Sequence, residues 1–269
     1  MPCDWREQGK PSFLYRVPAL TALLNANPIN LSTYQPITTN KIMTYTVSIA
    51  LDNETLTALN NGTWQMQVYK GCKSPNASAA LPTVWYTVPK TKFSNEIKTS
   101  WHTPYGGYFS NTSVTAGTTV NTSTNQPMSP GDVITLNANG SASVSTSGGV
   151  SGAFSFLSQK TETWTCGLLV TPKGGEASPI CAFPQYGAAG NLIQPYEKVL
   201  ILFTQAQLNI GAVVQTSLTK SVSCVLSTSQ PKISVAFNIN SGWNTMGNPQ
   251  AKQNPIQFDL AADLIIPLA

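Results

Sequence analysis

An all-β protein, an antiparallel β-sandwich built as one large or two packed sandwiches, follows from three features of this 269-residue chain. Hydroxyl and amide residues replace ions on the polar side. Ser and Thr together supply 57 residues and Asn 21, while charged residues make up 10%, well below the usual fraction of about 25%. Several short stretches alternate apolar and polar residues with a period of two, which is strand periodicity. Gly, Pro and Asn punctuate those stretches, and no long amphipathic helix alternates with them, which argues against α/β folds.

Residues 1–40 read as an irregular N-terminal arm. Within it PALTALLNAN (18–27) places Leu20, Leu23 and Leu24 at helical spacing, so a short helical turn is expected. IMTYTVSIAL (42–51) is the clearest strand, with Met43, Tyr45, Val47, Ile49 and Leu51 on one face and Thr44, Thr46 and Ser48 on the other. DNETLTALNNG follows, where Asp52 or Asn53 caps a helical turn and Gly62 ends it. WQMQVYK (64–70) is expected to pair antiparallel with the first strand across that short turn.

TVWYTV (83–88) and GDVITL (131–136) read as further strands. ETWTCGLLV (162–170) and EKVLILFT (197–204) are largely apolar, as central strands are. KSVSCVL (220–226) and KISVAFNIN (232–240) flank a Ser-Thr-Ser-Gln-Pro turn. CAFPQYGAAG (181–190) reads as a structured loop. The uncharged stretch 110–131 reads as a linker or a flat Thr-rich strand. A boundary near 125–130 divides the chain into sandwich halves 41–128 and 129–269, which can equally form one continuous domain.

NANGSASVSTSGGVSGAFSFLSQ (137–159) raises a question of faces. A two-residue turn at Gly148-Gly149 puts the alternating serines beside Val150, Phe154 and Phe156. A three-residue loop at Ser147-Gly148-Gly149 instead gathers Ala142, Val144, Thr146, Val150, Phe154 and Phe156 on one apolar face. The second register is expected, because it gives one apolar and one wet face. The segment 132–159 also carries an alternative function, a toxin-like, membrane-active β-pore whose hairpin would use Val144, Val150, Phe154 and Phe156.

The formal charge is +4, and the tightest basic group is Lys90, Lys92 and Lys98, with arginine only at Arg6 and Arg16. That argues against nucleic acid, which needs clustered cations. No stretch is apolar enough for a membrane-spanning helix. The opening MPCDWREQGKPSF lacks the apolar core of a signal peptide, so a cytoplasmic, processed or leaderless secreted protein is expected. Five cysteines without CxxC spacing read as buried reduced thiols. The seven Asn-x-Ser/Thr triplets are what so Asn- and Thr-rich a chain generates by chance.

Little in the sequence carries reaction chemistry. The one histidine, His102, is the base that any serine- or cysteine-based hydrolysis would need. No G-x-S-x-G elbow, phosphate loop or metal-ligand spacing is present, so neither cofactor nor metal is expected. A hydrolase using His102 or a carboxylate pair assembled by the fold is the second alternative. The most site-like stretch is Trp101-His102-Thr103-Pro104-Tyr105-Gly106-Gly107-Tyr108-Phe109, with Trp243 and Asn244 in a second one. Trp101, His102, Tyr105, Tyr108, Trp243 and Asn244 are therefore the candidate ligand-binding residues, either as a platform for sugars or a protein surface, or as core aromatics. The function expected is a non-enzymatic binding or self-assembling protein, lectin-like, whose partner is a second copy of itself or a carbohydrate or protein surface.

Overall fold

The computed structural model describes residues 43–187 and 189–268. The helical turn at 18–27 and the irregular arm lie outside the described residues. The described residues form one compact unit.

Strand β1 is Thr44–Leu51, and helix α1, Asn53–Asn61, follows it. Next come β2 (Gln65–Ser74), β3 (Leu81–Pro82), β4 (Tyr86–Pro89) and the long β5 (Glu96–Ser110). The middle of the chain supplies β6 (Thr124–Met128), β7 (Val133–Leu136), β8 (Ala142–Ser145), β9 (Phe154–Ser158) and β10 (Trp164–Pro172). After these come β11 (Ser178–Pro179), β12 (Cys181–Gln185), β13 (Asn191–Thr204) and β14 (Ser221–Val225). The remaining elements are β15 (Lys232–Asn238), β16 (Gly242–Asn244), β17 (Ala251–Asn254), helix α2 (Leu260–Leu264) and β18 (Ile265–Pro267).

The strands make two nine-stranded sheets, as an all-β sandwich requires. The first runs β16-β15-β1-β5-β10-β12-β3, with β6 on β5 and β11 on β10. The second runs β17-β14-β13-β9-β7-β8, with β2 on β13 and both β4 and β18 on β2. One apolar cluster between them draws on both, including Val47, Ile49 and Trp101 from the first and Val68, Ile201 and Phe203 from the second.

The long strands 162–170 and 197–204 lie inside their sheets, as their apolar sequences require: β10 has β5 and β12 on its sides, and β13 has β14 and β2. The predicted alternation of β1 is also present, with Tyr45, Val47, Ile49 and Leu51 buried. Asp52 caps α1 by accepting from the Thr55 amide at 2.7 Å.

Four expectations need correction. The pairing is not purely antiparallel, because β1 runs parallel to β15, β7 to β9 and β18 to β2. β1 and β2 do not pair; they sit in different sheets. The connection between them is a nine-residue helix, about 13 Å long at 1.5 Å per residue, which matches the ~10 Å gap between packed sheets. Residues 181–185 of the predicted loop form strand β12; the strand at 124–128, β6, is in keeping with the strand alternative given for the uncharged stretch.

The fourth correction concerns the serine-rich segment. β8 pairs antiparallel with β7 around a turn at Asn137–Gly140, where Gly140 takes a φ of +87°. β9 then returns to the other side of β7 in parallel. Because β7 lies between β8 and β9, the Gly148-Gly149 hairpin forms in neither register. Gly149 is needed for close approach instead: a Cβ there would collide with the Gly131 carbonyl oxygen. Nor do the four proposed membrane-facing residues form one exposed apolar stripe: Val144 and Phe156 share a face, both standing opposite Ile134, and Val150 lies outside the strands. Phe154 and Phe156 are fully buried, whereas Val144 and Val150 are 36% and 52% exposed.

Candidate functional site

The stretch around Trp101 is one continuous strand. Along β5 the odd positions Ile97, Thr99, Trp101, Tyr105 and Phe109 are buried toward the opposite sheet. Tyr108 points the other way, is buried with Val120, Leu169, Ala182 and Val213, and donates to the Cys181 carbonyl at 2.8 Å. Trp243 stacks on Phe203 with ring centres 5.6 Å apart, and its indole N–H donates to the Lys220 carbonyl. Four of the six candidate ligand residues are therefore interior, and they make no surface platform. His102 is half-buried at the sheet surface with Nδ1 3.0 Å from the Thr44 hydroxyl. Asn244 is exposed and its side-chain oxygen accepts from the Met246 amide.

What the buried aromatics surround is an ion pair. On β2 the positions Met66, Val68, Lys70 and Cys72 all enter the core, so strand periodicity carries a lysine inside. Lys70 is fully buried, and its ammonium lies 2.6 Å from Glu197 Oε2. β13 brings Glu197 in through an irregularity. Pro195 stands opposite Cys72 and Val199 opposite Lys70, so β13 spends two extra residues there. Proline cannot donate to the ladder and is tolerated at such bulges.

Three more contacts fix the pair. The Trp101 indole donates to Glu197 Oε2 at 2.7 Å, the Tyr105 phenol donates to Oε1 at 2.5 Å, and Lys70 also donates to the Tyr196 carbonyl. Lys70 lies 5.1 Å from the Trp101 ring centre, and Tyr45 stacks on Trp101 with ring centres 5.7 Å apart. Burial by itself would raise the Glu197 carboxyl; the Lys70 ammonium and the converging donors outweigh it and hold it below the usual carboxylate value. Burial pulls the Lys70 ammonium below its ordinary value, with Glu197 opposing. Burial, together with the Glu197 charge, pushes the Tyr105 phenol up. Glu197 lines none of the four described cavities. With every oxygen held by a donor, this carboxylate pins one sheet to the other and is not poised for proton transfer.

The surface offers a different aromatic group. Tyr186, directly after β12, is 57% exposed. Two adjoining hollows of about 270 and 390 Å³ share Tyr186, Pro184 and Ala79 in their walls. The first adds Asn76, Ser78 and Asn191; the second adds Ser113, Thr163 and the half-buried Trp164. The floor is rigid, because Asn191 donates to Gln185 and the Pro184 carbonyl and accepts from Asn76. The Lys160 ammonium lies 5.8 Å from the Trp164 ring.

Neither the ion pair nor the Tyr186 ridge stood out in the sequence. The signals available were a Glu-Lys pair two residues after a proline inside a central strand, and a tyrosine at the Gly-rich end of CAFPQYGAAG. Among the described residues, no group of three His, Cys, Asp or Glu side chains is placed to hold a metal ion, and no helix is long and apolar enough to cross a membrane. Comparison of the chain with protein-family models, curated proteins and solved structures returned no match.

Proposed function

We propose that this is a non-enzymatic, lectin-like binding protein whose carbohydrate site is the double hollow on either side of Tyr186. The observation that carries the reading is a tyrosine 57% exposed between two uncharged, amide- and hydroxyl-lined hollows. A pyranose has an apolar C–H face and a rim of hydroxyls. Tyr186 and Trp164 supply ring faces for the former, and Asn76, Ser78, Ser113 and Thr163 supply hydrogen-bonding groups for the latter. Two hollows side by side suit two consecutive sugar units.

A glycan array on the intact chain, followed by calorimetry on the best glycan, tests this. Tyr186→Ala should weaken binding about tenfold or more, as loss of a central aromatic anchor does. Tyr186→Phe keeps the ring and should retain most of the affinity. Binding that survives Tyr186→Ala unchanged, or an array without signal, would overturn the proposal.

A further inference from the structure

We infer that the outer face of the second sheet carries a second, chemically different site, a pocket for a small neutral amphiphile with an alkyl body and a hydroxyl end. It is independent of the Tyr186 site.

The pocket exists because that face is covered. In the β2–β13 register Gln67 stands opposite Leu202, and Gln65 opposite Thr204. These side chains point away from the inter-sheet core, yet Gln65, Gln67, Leu202 and Thr204 are all buried. The chain from Ala206 to Leu218 lies over them, tied down by the Gln65 and Gln67 amides, each donating to the Ala206 carbonyl at 2.9 Å. The cover is incomplete and leaves a cavity of about 280 Å³. That is room for about nine groups of water size, at ~30 Å³ each.

The walls state what fits. None of the described residues lining the cavity is charged, so none of them would compensate a carboxylate, phosphate or ammonium. Leu202, Leu208, Ala212 and Val213 line an apolar body. Leu218 is 68% exposed and belongs to the same lining, an apolar side chain left in solvent at the mouth. The polar inventory is one group short of satisfied. Tyr69 donates to Gln67 at 2.8 Å and Gln67 to Ala206. Ser217, 1% exposed and lining the cavity, has a hydroxyl with no partner among the described residues. A second orphan sits in the same cross-strand row. Leu202 stands opposite Ser221, Ser221 opposite Asn254, and the Asn254 side-chain oxygen is buried with no partner among the described residues. Buried polar atoms are otherwise nearly always paired. A ligand hydroxyl in the pocket would serve Ser217 as donor or acceptor while its alkyl chain fills the Leu202–Leu208 side.

Calorimetric titration of the intact protein with a series of n-alkanols, butanol to decanol, tests this. Affinity should rise about fourfold per methylene and stop rising when the cavity is full. Ser217→Ala should not lower the free protein's melting temperature, since no hydrogen bond is lost, and should weaken the best alkanol about fivefold. Leu218→Ser, on the exposed rim, should weaken it without unfolding. No saturable binding by any alkanol would overturn the inference. So would a series that rises without a length limit, or one indifferent to both substitutions, since these describe adsorption to the surface. Tyr186→Ala should leave alkanol binding intact, which separates failure here from failure of the sugar site.

Discussion

Replacing Lys70 with methionine should destabilise this protein by about 3 kcal/mol. Lys70 is 0% exposed and sits 2.6 Å from a Glu197 side chain that is 16% exposed. Removing one partner of a buried pair costs about 3–5 kcal/mol, because the remaining charge stays desolvated without its counter-ion. Here the Trp101 indole and the Tyr105 phenol still donate to the carboxylate, which places the cost at the lower end, near ~3 kcal/mol. Methionine fills a similar volume and adds no polar atom, so cavity formation contributes little. In a unit of this size ~1 kcal/mol moves the melting temperature by about 2–4 °C, so calorimetry should read a fall of about 6–12 °C. The decisive form is a double-mutant cycle in urea with Glu197→Gln. The glutamine retains an acceptor for one of the two ring donors. The double variant should therefore be more stable than the sum of the single losses requires, with a coupling of about 2 kcal/mol. Additive losses, or a Lys70→Met loss under ~1 kcal/mol, would show that the pair does not stabilise the β2–β13 junction.

Two further predictions concern titration and thiol chemistry. The folded Glu197 value lies below the unfolded one, so between the two the folded state binds fewer protons. Its contribution is complete above the unfolded carboxylate value of about 4.3 and disappears as pH falls through the lower folded value. Stability measured by urea unfolding should drop on that acid limb in the parent and drop less in Glu197→Gln; parallel curves for the two proteins would refute the assignment. Cys72, Cys166, Cys181 and Cys224 are buried and have no disulfide partner among the described residues. Burial pushes the Cys72 and Cys166 thiols up and takes Cys224 to about 12. In a Cys3→Ser chain, Ellman's reagent should therefore label no thiol before unfolding and four after it; rapid labelling of the folded protein would contradict the packing.

How much of this was legible depends on the range of the interaction. The two-residue alternation of β1 and β15 and the apolar runs of β10 and β13 are written residue by residue, because side-chain direction in a strand is a local property. The Asp52 cap needs only three residues and was equally visible. The all-β class followed from such local patterns summed over the chain. Strand order is a different kind of quantity. Nothing near residue 148 says that β7 will slip between β8 and β9, since Gly149 is required by the backbone of Gly131, a neighbour only after folding. The same holds for Lys70, whose burial makes sense only with the Glu197 carboxylate against it, 127 positions along the chain. Whether an aromatic ring faces core or solvent is decided last. Trp101 and Tyr186 lie in equally Gly-flanked aromatic stretches, yet the first is sealed by the opposing sheet and the second stands 57% exposed beyond the end of β12. Sequence alone thus determined that this chain forms strands with buried carbon faces. The pairing of those strands, and with it every candidate site, came from contacts between residues far apart in the chain, where covering one face of a sheet leaves the hollows on another.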